Sequence, residues 1–142
     1  MKSRVPWQLR EAIANFKDAL QLDENYSKAR LNLVAAYIAA SQLDNANAML
    51  AKVEARGGVH AGDIALYEGI AHGEAKAYDK ARAAFVKALA SPHSKRAATY
   101  NIAKALELAG NKAEAKKAYA QYVKLYPGGP WAIAANAAAA KL

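Results

Sequence analysis

The sequence predicts an all-α chain, built as a solenoid of antiparallel helix pairs. Three observations carry this. One unit recurs at a step of 34 residues, which takes Ala81, Phe85, Ala88 and Leu89 to Ala115, Tyr119, Tyr122 and Val123. The same step takes Gly69 and His72 to Ala103 and Leu106, and residue size is kept across most of these pairs. Sustained self-similarity at one period marks a repeat architecture. Secondly, 54% of the residues are hydrophobic and alanine supplies much of that share. Alanine favours helix, and few runs of Val, Ile and Thr argue for strands. Thirdly, Gly57-Gly58, Ser91-Pro92, Gly110 and Pro127-Gly128-Gly129-Pro130 punctuate the apolar segments with residues that stop helices.

The period extends backwards. A step of 35 leads from Ala81, Phe85 and Ala88 to Ala46, Leu50 and Val53, with the extra residue falling in loop 56–60. A further step of 34 leads to Ala12, Phe16 and Ala19. This second-helix signature occurs four times. A first-helix signature occurs three times, in Leu33-Val34 with Tyr37, Glu68-Gly69 with His72, and Ile102-Ala103 with Leu106. Pro92 closes one unit and Tyr126-Pro127 another. The combined pattern resembles the tetratricopeptide repeat over nearly the whole chain. The resemblance divides residues 1–142 into a half-repeat (1–26, second helix only), repeats at 27–61, 62–95 and 96–129, and a capping helix at 130–142. It implies a right-handed superhelix whose concave side is lined by the first helices. It also implies a binding role without catalysis and, from the alanine-rich composition and the Tyr-Pro ending, a bacterial relative.

Taken in order, residues 1–5 carry no helix signal, and Pro6 suits the first turn of a helix that runs to Leu22. Leu9, Ile13, Phe16 and Leu20 share one face of it. Asp23-Glu24-Asn25-Tyr26 is a turn, and Ser27 is a candidate cap for a helix over 28–41. Its partner spans Asp44–Arg56 and stops at Gly57-Gly58. Helices over 62–75 and 78–90 form the next pair, ended by Ser91-Pro92. Ser94 is placed to cap the helix over 95–109, which Gly110 closes. Asn111 with Glu114 has the spacing of a capping box for the following helix. The alanine-rich tail from Trp131 to Leu142 is expected to cover the last pair, since an end repeat otherwise exposes an apolar face. Trp7 and Trp131, near the two ends, are expected to shield such faces.

The net charge of +8 favours acidic partners, nucleic acid or anionic membranes in general. The lysines are spread along helices, however, as on a solvated outer face. No cysteine is present, which excludes disulfides and thiolate metal sites and leaves the compartment open between cytoplasm and periplasm. The longest uncharged run, Leu31 to Leu43, is too short to span a bilayer. Met1-Lys2-Ser3-Arg4 is basic but no apolar segment follows, so no signal peptide is expected in this chain, which starts mid-repeat and reads as a possible fragment.

No catalytic, cofactor or metal constellation is visible. His60, His72 and His93 share no ligand spacing, and His72 falls at a helix-packing position of the repeat. Neither glycine pair precedes the Lys-Ser/Thr of a phosphate-binding loop. Asp23-Glu24 sits in a turn, and no serine occupies a nucleophile elbow.

The function expected is therefore protein interaction. The first helices would present Leu31, Asn32, Ala35 and Ile38, then Leu66, Tyr67 and Ile70, then Tyr100, Asn101, Lys104 and Glu107 to a peptide or partner helix. In the carboxylate-clamp subclass, the resemblance places clamp residues at Leu31, Ala35, Tyr67, Ala97 and Asn101. None matches, so an acidic chaperone tail is not the expected ligand. Two alternatives stand beside this. One is self-assembly through the N-terminal half-repeat, as an element of a bacterial envelope or appendage complex. The other is single-stranded RNA binding of pentatricopeptide type, to which Ala98-Thr99-Tyr100-Asn101 bears a superficial likeness. The carboxylates Asp63 and Glu107 oppose phosphate and count against it.

Overall fold

The computed structural model describes residues 6–22, 27–56 and 61–142. Within them lie α1 (Trp7–Leu22), α2 (Ser27–Ala39), α3 (Leu43–Arg56), α4 (Ala61–Glu74), α5 (Tyr78–Ala88), α6 (Lys95–Leu108), α7 (Lys112–Leu125) and α8 (Pro130–Ala140). No described residue is in a strand, and no helix among them is long and apolar enough to cross a membrane. The chain divides into two compact units, Met1–His60 and Ala61–Leu142. In the first, α1 packs on α2 and α2 on α3. In the second, α4 packs on α5, α5 on α6, α6 on α7 and α7 on α8, and α4 also touches α6 directly.

The period seen in the sequence is repeated in the backbone. Ser41, Lys76 and Gly110 follow the first helix of the three pairs and all have positive φ, at 59°, 61° and 88°. Behind each, the same two bonds form. The left-handed residue donates its N–H to the carbonyl three back: Ser41 to Ile38, Lys76 to Gly73, Gly110 to Glu107. The next residue donates to the carbonyl five back: Gln42 to Tyr37 at 2.8 Å, Ala77 to His72 at 2.9 Å, Asn111 to Leu106 at 2.9 Å. This is a Schellman turn written three times. Only Gly110 adopts it without the roughly 1–2 kcal/mol steric cost that a side chain meets there.

The expected N-caps are replaced by tertiary contacts. Ser94 precedes α6 but makes no capping bond. Its buried hydroxyl donates instead to the Ala88 carbonyl at the end of α5, at 2.8 Å. Asn111 makes no side-chain cap to α7, and Glu114 reaches Arg82 of α5 at 3.8 Å. Ser27 is the first residue of α2 itself, so the cap position falls on Tyr26, outside the described residues. The Gly57-Gly58 stop and His60 also lie outside them.

The core of the first unit is drawn from α1 (Ile13), α2 (Ala29, Leu33, Val34, Ala36, Tyr37, Ile38) and α3 (Ala46, Leu50, Val53). The second unit holds two clusters. One joins α4, α5 and α6 through Ala65, Ala81, Phe85, Ala88, Ala98 and Ala105. The other joins α6, α7 and α8 through Ala103, Leu106, Ala115, Tyr119, Tyr122, Ala132 and Ala135. Alanine dominates because close helix approach leaves room for little else. Gly69 shows the limit: a Cβ there would stand 2.5 Å from Cε1 of Phe85. Where the size match lapses, at Ala88 and Tyr122, the second cluster takes up the larger ring, and Tyr122 is fully buried.

Candidate functional site

The expected groove residues are distributed between the two units. In the first unit, Leu31, Asn32 and Ala35 are half-buried on α2, whereas Ile38 lies in the core with 7% of its surface exposed. A ligand reaches at most its edge.

In the second unit, Ile70, Asn101 and Lys104 come together. They line one cavity of about 230 Å³ between α4, α5 and α6. Its floor is Phe85, Ala81 and Ala105, which the Gly69–Phe85 approach draws close to α4. Leu66 lies one turn before Ile70 and packs with it against the same core cluster. Asn101 Nδ2 donates to the Ala97 carbonyl one turn back, at 2.9 Å. That fixes the amide and leaves Oδ1 as an acceptor. Lys104 is exposed.

Besides the packing residues Gly69, Ala81, Phe85 and Ala105, the lining includes Gly73, Glu74, Tyr78 and Leu108, none of which was among the expected groove residues. Gly73 is the most informative. It stands in the last turn of α4, where glycine is still a weaker helix former than alanine, and its repeat role does not explain it. A Cβ there would meet nothing within 4 Å, so the glycine keeps space open rather than helices close. Glu74 and Lys104 give the rim both signs of charge.

Tyr100 and Glu107 are recruited elsewhere. The Tyr100 ring stands edge-on to Tyr119 at 6.0 Å and to Tyr122 at 5.5 Å, and tilts over Trp131 at 5.2 Å. Glu107 Oε1 accepts a hydrogen bond of 2.6 Å from the Tyr119 hydroxyl. Burial, then this bond and the Glu107 charge, push the Tyr119 phenol far up. Burial likewise raises Tyr100, with Glu107 adding to it. Tyr67 is half-buried on α4, and its phenol is raised by burial and then by the Asp63 charge. Trp131 thus does shield part of the last pair while keeping 41% of its surface exposed, whereas Trp7 is 62% exposed.

Among the described residues, no three His, Cys, Asp or Glu side chains converge as a metal site. His93 lies 3.5 Å from Asp63, and His72 is half-buried on α4.

Residues 8–61, which hold α1, α2 and α3, match the family model of the tetratricopeptide repeat. The recurring pairs and turns of the second unit repeat that architecture. Over residues 8–61 the chain is similar to the tetratricopeptide repeat, and the all-α architecture of adjacent packed helices is consistent with a solenoid of that type. No curated protein matches the chain. Tetratricopeptide repeats are non-catalytic scaffold units that mediate protein–protein interaction, and in such solenoids function resides in exposed side chains rather than in the fold.

Proposed function

We propose that this chain is a protein-interaction scaffold that binds an extended peptide or a partner helix along α4 and α6, with one apolar side chain of the ligand seated in the cavity they share. The observation that carries this is the cavity's size and lining together. Pockets for small molecules usually enclose about 300–1,000 Å³. A cavity of about 230 Å³ suits a single leucine or phenylalanine side chain better than a whole ligand. Its floor is apolar, from Ala81, Phe85 and Ala105, and its edge combines Ile70 and the exposed Leu108 with the polar Asn101, Lys104, Glu74 and Tyr78. An anchor in a pocket with polar neighbours is how peptide grooves concentrate binding energy. Asn101 Oδ1 accepts from a ligand backbone N–H. Lys104 with Glu74 favours mixed charge over a uniformly acidic segment.

The test is selection from a random peptide library on immobilised protein, run in parallel with Gly73→Leu. A leucine at this position fills open space and improves helix propensity, so the fold is kept. Enrichment of peptides sharing an apolar anchor on the wild type, and its loss on Gly73→Leu, is the expected result. Equal enrichment on both proteins refutes the groove.

A further inference from the structure

The positive charge of the second unit is unevenly placed. Helix α4 carries Asp63, Glu68 and Glu74 and no lysine or arginine. Helix α7 carries Lys112, Lys116, Lys117 and Lys124 against Glu114, and α5 carries Lys80, Arg82 and Lys87 against Asp79. The second helices of these two pairs therefore hold the basic excess, and all of their lysines are exposed. One of the two carboxylates is already answered, since Glu114 lies 3.8 Å from Arg82.

Beside that charge lies a second cavity, of about 260 Å³, between the end of α5, α6 and α7. Leu89, Ile102, Ala118 and Leu125 form its apolar walls, with Lys95, Thr99 and Gln121 completing them. The surface inside is almost wholly hydrocarbon. The Thr99 hydroxyl donates to the Lys95 carbonyl one turn back, at 2.7 Å, and so does not compete for a ligand. Leu125 keeps 48% of its surface in water, and Val86, one turn before Leu89, is exposed as well. Three exposed lysines stand at the mouth. Lys95 lines it, and Lys117 and Lys124 lie one turn to either side of Gln121, as neighbours on the helix surface. On α6 this cavity uses Lys95, Thr99 and Ile102, whereas the groove uses Asn101, Lys104, Ala105 and Leu108, so the two share no residue.

We infer that this cavity is a second docking site, for an acidic protein segment that seats one apolar side chain in it and sets carboxylates against Lys95, Lys117 and Lys124. Charge selects the occupant. Three exposed lysines, next to a single carboxylate that already faces Arg82, are complementary to a segment rich in aspartate and glutamate. Size agrees with this, because the cavity is smaller than the usual pocket for a whole small molecule and suits one leucine or phenylalanine side chain. An apolar surface with a polar rim is also the usual mark of a protein contact. Other polyanions match the charge but not the cavity. The bases of single-stranded RNA stack on aromatic rings, and no ring lines this site. A bilayer takes up apolar side chains that project from a helix, whereas this apolar surface is recessed between helices. The site is independent of the groove on α4 and α6, whose Lys104 and Glu74 favour mixed charge. A chain that holds both ligands joins two partners of different charge.

The experiment is fluorescence anisotropy, with the full chain titrated into short labelled peptides in which one leucine or phenylalanine is flanked on both sides by glutamate and aspartate. Control peptides replace the apolar residue by alanine, or the acidic flanks by lysine. The acidic peptides with an anchor are expected to bind. The alanine peptide is expected to bind about tenfold more weakly or worse, since the buried hydrocarbon is lost, and the lysine-flanked peptide not to bind. Lys95→Glu, Lys117→Glu and Gln121→Trp all fall at exposed positions, so circular dichroism should not change. Each is expected to weaken binding about tenfold, the first two through charge and the third by covering the cavity. Gly73→Leu, which fills the groove, is expected to leave this binding as it is. No binding of the anchored acidic peptides, equal binding of the alanine peptide, or indifference to all three variants would overturn the proposal. So would loss of binding in Gly73→Leu, which would assign the peptides to the groove. Tighter binding of phosphatidylserine vesicles or of single-stranded polyuridine, lost in the same lysine variants, would overturn it in favour of another polyanion.

Discussion

Gly69 and Phe85 are a matched pair, in that a methyl group on the glycine would stand 2.5 Å from Cε1 of the ring. The contact sets how closely α4 and α5 approach, and the approach places Phe85 at the floor of the candidate groove. Gly69→Ala is therefore expected to destabilise the protein by about 1–3 kcal/mol as an overpacking change. Phe85→Leu, the residue type that occupies the equivalent position of α3 as Leu50, should recover part of this loss in the double variant. Chemical denaturation of the four proteins in a double-mutant cycle measures the coupling. Additive losses would show that the two sites do not share space.

Phe85→Ala removes the ring from a buried position and is expected to cost about 3–5 kcal/mol. The same denaturation measurement applies. A loss under about 1 kcal/mol would mean that the ring is not the centre of the α4–α5–α6 cluster.

The three Schellman turns make a paired prediction. Gly110 has φ +88°, and a methyl group placed on it would meet no neighbour within 4 Å. Gly110→Ala therefore reports backbone strain alone and should cost about 1 kcal/mol. Lys76 occupies the equivalent position at φ 61°, and Lys76→Gly should stabilise by about 0.5–1 kcal/mol. Melting temperatures are expected to move in opposite directions for the two variants. A shift of the same sign in both would show that the turns are not equivalent.

How far each feature was legible in the sequence depends on whether local or tertiary forces decide it. The helices fall where expected to within about two residues, because size periodicity, turn glycines and prolines act locally. Gly110 was readable as a helix stop. Ser41 and Lys76 were not, because their side chains disfavour the conformation that the pair geometry imposes. Ser94 and Asn111 have the composition of caps, but α5 offers the first a buried carbonyl and supplies Arg82 to the partner of the second. At the candidate cavity, Ile70, Asn101 and Lys104 are the three expected groove residues that line it. Register could not show that Tyr100 is drawn into a ring cluster with α7 and α8, or that Glu107 is held by Tyr119. Those depend on what stands opposite. Gly73 left a trace, a glycine that the repeat did not require.

The Tyr119 phenol gives a pH prediction. Its folded pKa is raised above the ordinary value of 10.0, so below pH 10 the group is neutral in both states and leaves stability unchanged. Above pH 10 the unfolded chain releases the proton while the folded one retains it. The unfolded state then binds fewer protons, and stability falls with rising pH, by up to about 1.4 kcal/mol per pH unit for one group. Tyr119→Phe should be less stable near neutrality by about 1 kcal/mol through loss of the bond to Glu107, yet show a shallower decline above pH 10. An identical alkaline slope in both proteins would count against the raised phenol.

The groove is tested most directly by amide chemical-shift mapping of the full chain, titrated with a peptide selected on the wild-type protein. The largest shifts are expected to cluster at Ile70, Gly73, Asn101, Lys104 and Leu108. Gly73→Leu is expected to abolish them while leaving the remaining spectrum in place. Shifts confined to residues outside α4, α5 and α6, or shifts undiminished in Gly73→Leu, would refute binding in this cavity.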